Sequence, residues 1–129
     1  MEKSKELEEL TLLMYRALTH ADHSLYSNHI SQQDGAVVIG SDPGEWYEGY
    51  KAITEKLSVL TEEVKGTEII NAGPKGYREG KVGWVSDRFT LRLPDGKEIP
   101  FRMTATFIQE NGEWKLIQWH DSIGAPNDH

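Results

Sequence analysis

The sequence has 129 residues and a mass of 14.6 kDa, which fits one hydrophobic core and leaves no room for a second, so a single domain over residues 1–129 is expected. Lysine and arginine number 14 against 21 aspartate and glutamate, and the resulting charge of −7 repels nucleic-acid phosphates and anionic membranes. No cysteine is present, which excludes disulfides, thiolate nucleophiles and Cys-ligated zinc.

The first ten residues carry charge throughout and have no apolar stretch of signal-peptide length. No later run approaches the roughly 20 apolar residues of a membrane span, so a soluble, cytoplasmic protein is expected. From Lys5 to about His20, Leu7, Leu10, Leu13, Met14, Ala17 and Leu18 recur at helical spacing, with Glu6, Glu8 and Glu9 at the end where the helix dipole favours negative charge. Asp22 to Ile30 reads as a second, short helix capped by Asp22. Ala36 to Ile39 is a strand between Gly35 and the turn Gly40-Ser41-Asp42-Pro43-Gly44. Tyr50, Ile53, Leu57, Leu60 and Val64 mark a third helix that ends near Lys65-Gly66.

Everything after Gly66 reads as β. Thr67–Ala72, Lys81–Leu93, Ile99–Gln109 and Glu113–Ile123 are rich in β-branched and aromatic residues, and Tyr77 and Arg78 belong to a strand before Gly80. Asp95-Gly96 and Asn111-Gly112 are hairpin signals that join the last three strands into an antiparallel meander. A strand from Lys81 to Leu93 would extend about 40 Å, more than a small flat sheet uses, so the sheet must curve. The expected architecture is α+β, with the helices in the concave face of a strongly curved antiparallel sheet and a pocket at the open end of the cone. The tail from Ala125 to His129 is expected to fray.

Three segments carry a family resemblance. Ile39 to Tyr50, Val82 to Asp87 and Gly112 to Ser122 resemble the strand–turn–helix start, the long third strand and the last strand of the SnoaL-like branch of the nuclear transport factor 2-like superfamily, which includes ketosteroid isomerase relatives. The resemblance implies a cystatin-like cone fold and a homodimer formed through the sheet. Members include isomerases, cyclases, dehydratases, ligand binders and subunit-association domains, so the likeness fixes the fold better than the chemistry.

Candidate site residues come from strand alternation. Between Lys81 and Leu93, Asp87 shares a face with Val85, Phe89, Leu91 and Leu93, and a carboxyl on an apolar face is suited to proton transfer if that face lines the cone. The alternative is an outward Asp87 or a salt bridge with Arg102. His120 shares a face with Trp114, Leu116, Gln118 and Ser122, apolar at one end and polar at the other, and is the expected partner of Asp87. Tyr15, Trp46, Tyr47 and Trp84 are candidates for the apolar wall, and Arg102 and Ser122 for polar ligand contacts. His20, Asp22, His23 and His29 are the only cluster with a metal-like look, but they straddle a helix break and match no metal motif, so neither metal nor cofactor is expected. Two functions stay open. One is acid/base catalysis of isomerase, cyclase or dehydratase type on a small apolar carbonyl compound; the other is a non-catalytic small-ligand-binding or subunit-association domain.

Overall fold

A computed structural model describes residues 1–127, so the end of the tail expected to fray, Asp128 and His129, lies outside the described residues. In chain order the elements are β1 (Glu2–Lys3), α1 (Lys5–Thr19), α2 (His23–His29), β2 (Val37–Ile39), β3 (Trp46–Glu48), α3 (Tyr50–Glu63), β4 (Glu68–Ile70), β5 (Lys75–Glu79), β6 (Val82–Arg92), β7 (Glu98–Glu110) and β8 (Glu113–Ser122). The class is α+β, as expected: a sheet in the order β1-β5-β6-β7-β8-β2-β3, with β4 paired to β6 and the helices packed on one side.

α1 starts where Ser4 accepts a bond from the Leu7 amide at 3.3 Å, and Glu6 and Glu8 sit in its first turn. Its buried stripe of Leu7, Leu10, Met14, Tyr15 and Ala17 lies on the sheet. Contact is close because β6 presents Gly83 there: a Cβ at that position would sit 2.3 Å from Leu7 Cδ1. Asp22 precedes α2, but its side chain makes no cap bond to the helix and instead accepts from the Ser24 hydroxyl at 2.8 Å.

β6, β7 and β8 form the expected meander. Glu110 pairs with Glu113, and the two residues between them, Asn111 and Gly112, have φ of 53° and 80°, the twist a two-residue hairpin loop requires. One strand pair departs from the antiparallel expectation: β2 runs parallel to β8, Val38 opposite Trp119, and this extends the sheet past the meander to β2 and β3.

Two irregularities set up the interior. The β7–β8 ladder runs regularly from Glu110↔Glu113 to Phe107↔Leu116, then resumes at Thr106↔Gln118, leaving Ile117 as an extra residue on β8. On the other flank of β6 the partner changes: β5 pairs with Val82–Ser86 and β4 with Thr90–Arg92. Asp87 sits in the break. Its Oδ1 accepts from the Gly73 amide at 3.0 Å, tying down the loop that carries the chain from β4 to β5.

Candidate functional site

Between the helices and the sheet lies a cavity of about 180 Å³. Leu18 of α1, Tyr26 of α2, and Ile53, Leu57 and Leu60 of α3 line its helical side; Val38, Phe89, Leu91, Phe101, Leu116 and Trp119 line the strand side. The aromatic rings brace one another. Tyr15 lies 4.8 Å from Phe89 and meets Trp119 edge-on at 6.1 Å, while Phe89 stacks on Phe101 at 5.5 Å. Polar groups are few: Ser41, Glu45, Tyr47, Lys56 and Asp121, with Tyr15 contributing its ring and hydroxyl.

Asp121 and Glu45 are the carboxyls of the cavity wall. Burial holds Asp121 above the ordinary aspartate value; the bond from Trp119 Nε1 at 3.0 Å and the nearby His120 partly offset that rise, and the like charge of Glu45 adds to it. Glu45 itself folds back over the β2–β3 turn, where its Oε1 accepts from the Asp42 amide at 2.8 Å. Gly40 leaves room for that fold, since a Cβ there would lie 2.8 Å from Glu45 Cδ.

The expected site is only partly assembled. Asp87 does face inward with Val85 and Phe89, but it stands behind the wall rather than on it. It accepts from the Tyr15 hydroxyl at 2.8 Å, from the Gly73 amide at 3.0 Å and from its neighbour's amide, Arg88, at 2.8 Å. Burial and this bond to Asp87 push the Tyr15 phenol far above its usual range, so it stays protonated and committed to Asp87. The alternative pairing of Asp87 with Arg102 is not formed, because Arg102 lies on the other face.

His120 is exposed and points away from the cavity, a correction that follows from the bulge at Ile117. Strict alternation puts His120 on the face of Trp114 and Leu116. The extra residue shifts the phase, so Trp119 and Asp121 turn inward with Leu116 while Gln118 and His120 turn out. Ser122 is also outside, accepting from Arg102 Nε at 3.0 Å. Trp84 lies half-buried on the outer face of β6, and Trp46 on β3 is 59% exposed. Of the expected ligand contacts only Tyr15 lines the cavity; Tyr47, a further candidate for the apolar wall, lines it too.

His20, His23 and His29 do not converge. His20 Nδ1 contacts the Arg16 carbonyl at 2.9 Å, His29 Nδ1 the Leu25 carbonyl at 2.8 Å, and His23 reaches Glu62 at 3.8 Å. No helix among the described residues is long and apolar enough to cross a membrane.

Comparison with curated proteins returns no match. Among solved structures, similar folds include an NTF2-like protein of unknown function from Pseudomonas putida KT2440, 18% identical over 95% of this chain and 86% of that one, with a TM-score of 0.76. A candidate dehydratase of the NTF2-like family from Streptomyces avermitilis is 15% identical over 95% and 97% of the two chains, with a TM-score of 0.72. A candidate ketosteroid isomerase from Shewanella frigidimarina is 13% identical over 88% and 92%, with a TM-score of 0.74. At these identities the likeness is one of fold. The family described as the SnoaL-like domain matches residues 7–126, nearly the whole chain, and the protein belongs to that family.

Proposed function

We propose that the protein is an acid/base catalyst acting on a small apolar carbonyl compound, with Asp121 as the group that moves the proton. The observation that carries this reading is a carboxyl held above its ordinary value by burial, on the wall of a largely apolar cavity. Asp121 as carboxylate takes a proton from the carbon beside the carbonyl. The C–H electron pair passes to the carbonyl oxygen, giving an enolate and a neutral Asp121, which returns the proton to the same or a conjugated carbon. Tyr47 lines the cavity, and its hydroxyl has no partner among the described residues, so it is one donor available to the enolate oxygen. The class also agrees with the candidate dehydratase and isomerase among the structural relatives.

Size narrows the substrate. An engineered apolar cavity of about 150 Å³ holds benzene, so about 180 Å³ suits a one-ring body rather than a fused four-ring one. The test is exchange of solvent deuterium into the positions beside the carbonyl of cyclohexanone and phenylacetone, followed by proton NMR. The wild type is expected to accelerate exchange, and Asp121→Asn to lose about 10²–10⁴ of that acceleration. No acceleration by the wild type, or equal acceleration by the variant, would refute the catalytic reading in favour of simple binding.

We also propose a homodimer through the outer face of the sheet. Three cross-strand rows lie there: Trp84–Thr106–Gln118, Ser86–Thr104–His120 and Arg88–Arg102–Ser122. No helix covers them, and Ser86, Arg88, Arg102, Thr104, Gln118 and His120 are exposed. Sedimentation at micromolar concentration tests it; a monomer would count against it.

A further inference from the structure

Among the described residues, Lys56 is the single cation lining the cavity. It stands three residues after Ile53 and four before Leu60, so helical spacing puts it on the cavity-facing stripe of α3 rather than on the solvent face. The side chain is half-buried, with Nζ 5.7 Å from the centre of the Tyr47 ring, itself part of the wall. Although acidic residues outnumber basic ones 21 to 14, no carboxyl among the described residues forms an ion pair with Lys56. Lys56 belongs to α3 and Asp121 to β8, so the two groups reach the cavity from its helical and its strand side, and no ion pair joins them.

A half-buried ammonium with no ion-pair partner among the described residues, on the wall of a largely apolar cavity that also presents the Asp121 carboxyl, fits a ligand with two polar ends. We infer that the substrate is a small carboxylate whose one-ring or branched body fills the cavity, with its anionic group on Lys56 Nζ and its carbonyl toward Asp121. This rests on the catalytic reading above for the carbonyl end only; the anion subsite stands on Lys56 and the cavity. The chemical class is that of a short aryl- or alkyl-substituted oxo acid. Lysine supplies a compact charge on a flexible stem, which can follow the carboxylate of ligands that differ in chain length.

The test compares phenylacetate with 2-phenylethanol, which share the ring and chain and differ in charge, by isothermal titration calorimetry. Phenylacetate is expected to bind about fivefold tighter or better, with the preference falling as salt rises. Lys56→Gln is expected to abolish the preference and leave 2-phenylethanol within about twofold of wild type, and Lys56→Arg to keep a preference for the anion. Equal binding of the two probes by the wild type, or a preference that survives Lys56→Gln, overturns the inference; so does binding of neither probe. The two readings fail separately. Loss of deuterium exchange with the charge preference intact removes the catalytic role of Asp121 and keeps the anion subsite, whereas intact exchange without the preference does the reverse.

Discussion

Deleting one residue from the middle of a strand that is paired on both sides ordinarily turns every later side chain to the wrong face. Deletion of Ile117 is expected to do the opposite. Because Thr106 already pairs with Gln118 and Phe107 with Leu116, removing the extra residue leaves every other β7–β8 pair as it stands, and Trp119 and Asp121 keep facing the cavity. The cost is the half-buried Ile117 side chain; full burial of isoleucine stabilises by ~1.5–3 kcal/mol, so partial burial loses about 1 kcal/mol. For a chain of this length that lowers Tm by about 4 °C. The control is deletion of Ala105 in β7, where no residue is spare. Its loss would turn buried Met103 and half-buried Phe101 outward and bring Thr104 and Arg102 in, at a cost of about 5 kcal/mol or more, comparable to the whole stability of a small domain. Thermal melting separates the two variants, and NMR contacts between the Trp119 and Tyr15 rings, 6.1 Å apart at their centres, report the face of β8. A variant lacking Ile117 that has no cooperative melt, or folds without that ring contact, would refute the assignment of the bulge and with it the inward position of Asp121.

Two further outcomes follow from the interior. Burial raises the Asp121 pKa in the folded state, so the folded protein binds more protons than the unfolded chain between the two pKa values, and stability falls as pH rises through that window. Asp121→Asn removes this cost: its Tm is expected to exceed that of the wild type near pH 7, and the gain to shrink as pH is lowered toward the ordinary aspartate range. A gain that grew toward low pH would contradict the sign. At Gly83, alanine would place Cβ 2.3 Å from Leu7 Cδ1 of α1 and 3.1 Å from the Tyr77 carbonyl oxygen of β5. Gly83→Ala is expected to lose about 1–3 kcal/mol, whereas Gly44→Ala, with nothing within 4 Å and φ outside the left-handed region, should melt like wild type.

What the sequence made legible is local. The apolar stripes of α1 and α3, the hairpin at Asn111-Gly112 and the inward set Val85, Asp87, Phe89 and Leu91 each follow from spacing within one element. Long-range pairing was not legible: nothing in Val37–Ile39 says that it will lie parallel to Trp119, and nothing in Glu68–Ile70 or Lys75–Glu79 says that both will share one edge of β6. The site fell on the wrong face of β8 for a related reason. A bulge is a property of two strands in register, and Glu113–Ser122 read alone alternates without a break. The one available signal was that Ile117, Trp119, Asp121 and Ile123 share a face by simple alternation, which sets a carboxyl among large apolar residues much as Asp87 is set on β6.

Asp87 and Asp121, the inward carboxyls of β6 and β8, differ in how they are held, and that difference separates scaffold from site. Asp87 accepts bonds from Tyr15, Gly73 and Arg88, so its oxygens are spent on fixing a helix side chain and the β4–β5 loop. Asp121 accepts one side-chain bond, from Trp119 two residues away, while burial works against its charge. A carboxyl with several donors has little to gain from a ligand. One with a single donor and an apolar cavity before it gains a hydrogen-bond partner, or a proton, from whatever fills the space. The Asp87–Tyr15 bond also serves the cavity indirectly, because it fixes the ring that meets Trp119 edge-on, and Trp119 is the residue that holds Asp121 in place.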